Sequence, residues 1–383
     1  MLIGVLGAGQ LGMMLAQAGK PLGMRFRFLD PAPDSPAASC GEHVIAPYQD
    51  AGALAAFSRG LNFATWEFEN VPCEAVRRLA DRVPVRPSVG LLELAQDRLL
   101  EKRAFAEVGL RTARHLPISS RLDLREALRE IGVPSILKTR RMGYDGKGQF
   151  FLRAMEDADR AWSELGEGRQ EPELILEGFV EFEREVSLIA CRGVRGTAGE
   201  KNAIVFYSMP TNTHRAGILR VSRVGAGAEV PADLEAAARS AMTSLLEAFD
   251  YIGVLAIEFF VVNGLSGRVL VANEMAPRVH NSGHWSIEGC KASQFENHCR
   301  AVAGMDLASP SMMAPAAAMV NIVGQEPDAA ELKRIPGATV HMYGKAPRAG
   351  RKLGHVTIVG EAEEVDEGVR LATRLAGMRP DRV

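Results

Sequence analysis

The run IGVLGAGQLG, Ile3 to Gly12, limits the fold more than any other stretch of this chain. An apolar segment that breaks on Gly7, Gly9 and Gly12 and resumes with LGMMLAQAG reads as a buried strand, a tight turn and a helix, the first half of a parallel βαβ unit. The spacing G-x-G-x-x-G lets backbone approach a phosphate and lets helix pack on strand. A dinucleotide site also needs an acid about 20 residues on, and Asp30, at the end of RFRFLD, stands there. Taken locally, the segment describes a nicotinamide enzyme. The rest of the chain argues against it.

A chain of 383 residues, 47% of them apolar, has material for two or three cores. Its 45 basic and 47 acidic residues leave a net charge of -2, so no global field is available to hold a polyanion and nucleic acid is not an expected partner. Cys40, Cys73, Cys191, Cys290 and Cys299 are odd in number and contain no C-x-x-C pair, the usage of reduced thiols in a cytoplasmic protein. MLIGVLGAG lacks a basic leader and reads as a first strand, not a signal peptide. No apolar run approaches the roughly 18 residues of a membrane span, and no membrane partner is expected.

Residues 1–95 read as an α/β domain, with RFRFLD as second strand, a helix over 51–57 and FATWEFENV as a later strand. Ser88 is an N-cap candidate, and two helices meet near Asp97, where a boundary is placed. Over 96–310 strands predominate: VPSILKT with Lys138, GKGQFFLR, ELILEGFV, REVSLIACR and AIVFYS. A helix over 233–249 carries Leu234, Ala237, Ala238, Ala241, Leu245 and Leu246 at helical spacing, and VLAIEFFVV and RVLVANEM flank the turn NGLSG. RLDLREALRE reads as a solvated helix face. Residues 311–383 read as short strands with a helix over 364–375. The expected class is therefore α/β combined with α+β.

Two constellations carry chemistry. The segment MGYDGKGQ, Met142 to Gln149, joins two strands; its glycines permit a flap whose N–H groups meet phosphates, with Lys138 and Lys147 as cations. It is not a Walker loop, and the plain alternative is a mobile turn. In the hairpin that follows, a turn centred near Ser266 sets Glu258 opposite Glu274, with Asn273 alongside. Facing carboxylates repel, and a divalent cation reverses the sign. Carboxylate and amide oxygens suit Mg²⁺. The alternative register, off by one, sends one glutamate to solvent. His280 and His284 have metal-like spacing, but the intervening NSG predicts a loop.

The order Lys138 strand, GYDGKGQ flap, LEGFV, Glu258, NEMAPR resembles that of the ATP-grasp ligases. The strings GAGQLGMMLAQAG, NEMAPRVHNSGHW and YGKAPRAGRKLGH narrow the resemblance to the branch that carboxylates 5-aminoimidazole ribonucleotide with bicarbonate in purine biosynthesis, and extend it over nearly the whole chain. It implies an N-terminal Rossmann-like pre-ATP-grasp domain over 1–95, an ATP-grasp domain over 96–310 with a lid at about 110–180, and a small β-rich C-terminal domain over 311–383. Asp30 is then a chance match, with no nicotinamide implied.

The resemblance also implies roles. Arg98 and Lys138 would meet ATP phosphates under a lid of Gly143, Tyr144, Asp145, Gly146, Lys147, Gly148 and Gln149. The backbone of Glu177, Gly178, Phe179 and Val180 would read adenine, Glu185 the ribose, and His214 would line the same site. Glu258 and Glu274 would hold Mg²⁺ beside Asn273. Asp145, Arg278 and His280 would be catalytic. Gln10, Leu11, Glu67, Tyr144, Asn281, Ser282, Lys345, Arg351 and Lys352 would bind the ribonucleotide, and a homodimer is implied. Two segments depart from the family pattern: RGVRGTAGEKNAIVFY is longer and more polar, and EGFVEFERE differs between its outer glutamates. A formate-using glycinamide ribonucleotide transformylase is the alternative within the superfamily. A nicotinamide dehydrogenase or a silent nucleotide-binding module would be the alternatives outside it.

Overall fold

The computed structural model describes residues 1–143, 147–168, 172–194, 203–264 and 267–377. The first glycine run does divide a strand from a helix. Leu2–Leu6 is wholly buried and pairs in parallel with Arg25–Asp30 on one side and Phe63–Trp66 on the other. Glu42–Ile45 completes this four-stranded sheet at its edge. That edge strand has no readable signal in EHVI, a short segment with no fully buried residue. The helix Cys73–Ala80 also escapes the sequence reading, although Ala75, Val76 and Leu79 bury one face of it.

A second sheet of ten strands runs through the remaining chain. Its centre is Arg184–Arg192, which pairs antiparallel with Gly253–Gly264 on one side and Thr211–Arg215 on the other. Ile218–Gly225 then pairs with Ala316–Val323, so the stretch read as a small C-terminal domain adds its strands to the central sheet. Ala316–Val323 can join because both its faces are covered. Ala317 and Met319 enter the core shared with the N-terminal unit, while Ala316, Ala318, Val320 and Ile322 enter a core with Val365 and Ala372 of the helix Ala362–Leu375. Alternation along a strand sends neighbours to opposite faces.

A third, antiparallel sheet has the order His115–Ile118, Leu174–Gly178, Ser135–Thr139, Gln149–Leu152 and falls where the resemblance implies the lid. RLDLREALRE folds as Arg121–Ile131, opened by a reciprocal Ser120–Asp123 capping box. It buries Leu124, Ala127 and Leu128 against this sheet, so only its other face is solvated. The helix expected over 233–249 spans Ala232–Ala248. Ala237 faces water, and Met242 takes a core position the apolar spacing did not assign.

The N-terminal unit docks through buried polar contacts as well as apolar ones. Trp66 Nε1 donates to the Pro277 carbonyl at 3.0 Å. His298 lies between the units: Val254 N–H donates to Nδ1 at 3.2 Å, and Nε2 stands 2.9 Å from Thr65 Oγ1. Burial brings the imidazole pKa down to about 4, so the folded protein holds the ring neutral, with Nε2 as its donor. The unfolded ring binds a proton near pH 6.5. Stability contributed by His298 is therefore present above that pH and is lost as pH falls toward 4. A melting series from pH 7.5 to 4.5 should fall more steeply for the parent than for His298→Gln; equal slopes would remove this residue from the acid response.

Candidate functional site

Gly7 has φ +101°, and a Cβ there would stand 2.5 Å from Glu67 Cγ. Glu67 occupies the loop. Its carboxylate accepts from Gly9 N–H at 2.6 Å and Gly12 N–H at 2.8 Å, at the start of the helix Gln10–Gly19. Asp30 accepts from Ala8 N–H and from the Tyr48 hydroxyl, each at 3.0 Å. The acid that counted as a chance match thus holds the loop closed. The donors a dinucleotide pyrophosphate would need already face internal carboxylates.

The hairpin departs from the expected register at its functional point. Gly264 pairs with Gly267 and Phe259 with Ala272, but Ile257 pairs with Met275. This bulge sets Asn273 and Glu274 together against Glu258, where the expectation was a direct pair. Bulges re-aim side chains in this way. Glu274 is partly exposed and accepts from Arg98 Nη1 at 3.2 Å. Glu258 is more deeply placed, with His280 Nε2 at 3.3 Å. Burial, then the charge of Glu274, raises its pKa. Burial and Arg278 hold His280 well below the ordinary imidazole value, so it does not neutralise Glu258. Among the described residues no group of three or more histidine, cysteine or acidic side chains is arranged as a metal cage. Two carboxylates and an amide instead leave coordination positions for phosphate and water, which fits Mg²⁺.

Facing this acidic bulge is a set of buried cations. Lys138 Nζ donates to Glu177 Oε2 at 2.8 Å, and Lys102 Nζ stands 3.1 Å from Glu177 Oε1. Burial alone would raise the Glu177 pKa and lower that of Lys138; the two lysines more than offset it, and the carboxyl is held far below its usual range. The side chain of Glu177 is therefore engaged, whereas the resemblance gave a role only to its backbone. The Gly178 and Phe179 N–H groups donate to the Arg114 and Pro134 carbonyls at 2.8 and 3.1 Å. Glu185 pairs with His214 Nδ1, and Phe182 stacks on Phe260 with centroids 4.7 Å apart.

Arg98, Lys138, Glu177, Glu185, His214, Glu258 and Glu274 line one cleft of about 870 Å³, with Lys102 behind its wall. Its wall also includes Gln10, Leu11, Glu67, Gly143, Lys147, Gln149, Phe179, Val180, Asn273, Arg278, Asn281 and Lys352. Arg278 pairs with Glu69, whose carboxyl burial would raise but the guanidinium brings down to about 2. Lys345 reaches Gln10. Ser282 does not face the cleft: it is fully buried, 2.7 Å from Ser187 Oγ. Arg351 lies outside the wall and donates to the Ala346 carbonyl at 3.2 Å. Gly148 sits behind it against Thr139. Tyr144, Asp145 and Gly146 fall outside the described residues.

The sequence reading missed Glu69, Glu101, Lys102, Phe182, Phe260 and Tyr343. A signal existed for two of them. Glu101 and Lys102 follow Arg98 at i+3 and i+4, one face of the helix Arg98–Glu107. Glu101 accepts from Met275 N–H at 2.5 Å, and burial with the Glu274 charge pushes its pKa up to about 8.

Known proteins resemble this chain in sequence and fold. Residues 1–96 match the ribonucleotide synthetase preATP-grasp domain, 103–295 the ATP-grasp domain, and 317–367 the phosphoribosylaminoimidazole carboxylase C-terminal domain. An N5-carboxyaminoimidazole ribonucleotide synthase from Pseudomonas aeruginosa is 48% identical over 358 residues, 94% of either chain. The crystal structure of the N5-carboxyaminoimidazole ribonucleotide synthetase from Thermus thermophilus superposes with a TM-score of 0.89 at 47% identity, covering 99% of this chain and 100% of that one. An Aspergillus clavatus synthase solved with ADP and 5-aminoimidazole ribonucleotide gives 0.85 at 26% identity, covering 99% of each. With this identity over nearly the full length of either chain and the same fold, the chain belongs to the N5-carboxyaminoimidazole ribonucleotide synthase family, the ATP-dependent ligases of purine biosynthesis.

Proposed function

We propose that this chain joins bicarbonate to the exocyclic amine of 5-aminoimidazole ribonucleotide, with ATP and Mg²⁺, through carboxyphosphate. One observation carries the reading: buried cations on the lid side of the cleft face the Glu258–Glu274 bulge, while Arg278 and Lys352 line the same cleft. Phosphoryl transfer asks a protein for position and charge more than for a nucleophile. The co-crystallised ADP and ribonucleotide of the Aspergillus clavatus relative support the same two ligands. A cytoplasmic homodimer is the setting the family resemblance implies.

Lys138 and Arg98 would orient the γ-phosphate while Glu177 keeps Lys138 charged and fixed. Glu258, Glu274 and Asn273 would hold Mg²⁺, which when bound neutralises charge on the transferring group. Bicarbonate oxygen takes the γ-phosphoryl group, giving carboxyphosphate and ADP. Arg278, fixed by Glu69, would hold the bicarbonate. The amine then attacks the carboxyl carbon, or the CO₂ it releases, and phosphate and a proton leave. The apolar end at Phe179, Phe182 and Phe260 would take adenine, with Glu185 on the ribose hydroxyls. A closed site would exclude water from the labile intermediate.

ADP formation from ATP and bicarbonate should rise several-fold on adding 5-aminoimidazole ribonucleotide, with carboxylated product matching ADP. An acceptor that leaves ADP formation unchanged would refute the assignment.

Glu258→Gln tests the metal site without relying on turnover. The raised pKa means that the folded carboxyl keeps a proton the unfolded one loses above its ordinary range near pH 4.5. Metal-free stability should therefore decline as pH rises from that value through the raised one, less so in the variant. At pH 8 the metal-free variant should melt no lower than the parent. Mg²⁺ with ADP should raise the parent's melting temperature more than the variant's; equal ligand shifts would place the metal elsewhere.

A further inference from the structure

The segment Gln96–Lys102 touches every layer around the cleft. Gln96 Nε2 donates to the Glu69 and Val71 carbonyls of the N-terminal unit at 2.8 and 2.7 Å. Arg98 and Glu101 reach Glu274 and the Met275 N–H of the large sheet, and Lys102 reaches Glu177 of the lid. The chemistry above gives Asp97 no role. Its side chain is fully buried and lies outside the cleft wall.

As an N-cap, Asp97 needs only one donor, and Leu99 N–H supplies it at 3.0 Å. It takes three more. Arg140 gives Nε at 3.0 Å and Nη2 at 2.5 Å to its two oxygens, and Arg141 Nη2 is 3.1 Å away. Both arginines follow directly on Ser135–Thr139, the strand that carries Lys138. The backbone closes the same joint, Arg98 N–H donating to the Arg140 carbonyl at 3.0 Å. One carboxylate therefore fixes the lid strand to the helix start. Planar bidentate pairing fixes angle as well as distance.

We propose that Asp97 is a positioning residue for phosphoryl transfer, setting the placement of Arg98 on its helix relative to Lys138 on the lid. The proposal rests on the nucleotide roles given above. The rate of a positioned reaction is steep in geometry, an error of about 1 Å costing on the order of 10²-fold. Asp97→Asn keeps a capping oxygen for Leu99 and removes the charge that holds two guanidinium groups. Arg141→Gln alters the same joint from a half-exposed position and tests it if the buried change impairs folding.

The experiment measures kcat and KM per folded molecule, ADP affinity by ligand-induced melting shift, and product formed per ADP. Asp97→Asn should lower kcat about 10²-fold and Arg141→Gln roughly three- to ten-fold, with ADP affinity and the KM for ribonucleotide within about two-fold of the parent. The double variant should be no slower than Asp97→Asn, since both changes break one joint. Unchanged kcat in Arg141→Gln together with unchanged kcat in Arg140→Lys would overturn the proposal. So would additive losses in the double variant, or losses that vanish when corrected for folded fraction. The same cycle is read on ATP hydrolysis without acceptor. A parent that hydrolyses ATP but ignores the ribonucleotide refutes the assigned substrate and leaves the test of Asp97 intact.

Discussion

Glu177 stands between two lysines, all three nearly closed off from water, and the cleft is arranged around that contact. Desolvating a charge is expensive unless an opposite charge and hydrogen bonds replace the lost water. Lys138 and Lys102 side by side would repel, and burial already pulls the Lys138 pKa down. A carboxylate with one oxygen on each offsets that repulsion and leaves the trio with one formal positive charge to present. Arg98 is balanced locally by Glu274. The nucleotide end therefore holds a small net positive charge on side chains that cannot swing away. The carboxyl groups collect at the bulge, where Glu274 has a guanidinium partner.

The sequence made individual strands and motifs legible because their signals are local. Lys138 sits mid-strand, the helix over 364–375 has regular apolar spacing, and the carboxylates of the hairpin lie within one turn's reach of each other. Relations set by distant parts of the chain were not legible. Glu67 reaches back 55 residues to Gly12, and nothing in the glycine spacing announces it. The bulge at Glu258 adds one residue to one strand, a change to which a period-two pattern is blind until the ladder is seen. Lys102 shares a helix face with Arg98, but its burial depends on a strand more than seventy residues later.

The first glycine loop shows why a fingerprint needs its context. Gly7, Gly9 and Gly12 create the turn and the close packing that a dinucleotide would require, and Asp30 arrives at the expected distance. Here the same backbone geometry serves an internal anion. Glu67 caps the helix, and Asp30 and Tyr48 brace the loop from the other side. Burial raises the Glu67 pKa above its ordinary value, against the pull of the two N–H groups it accepts from.

The continuity of the large sheet bears on how the protein is made. Ile218–Gly225 is an interior strand of the finished molecule, but its partner Ala316–Val323 follows the helix Gln294–Ala303 in the chain. A ribosome delivers the strands that line the cleft first. Until the last strands emerge, the nascent chain carries an open β edge beside a nearly complete site, the kind of edge that recruits other chains. Synthesis thus passes through an interval in which the growing polypeptide needs shielding, and its length is set by the pace of translation between those two strands.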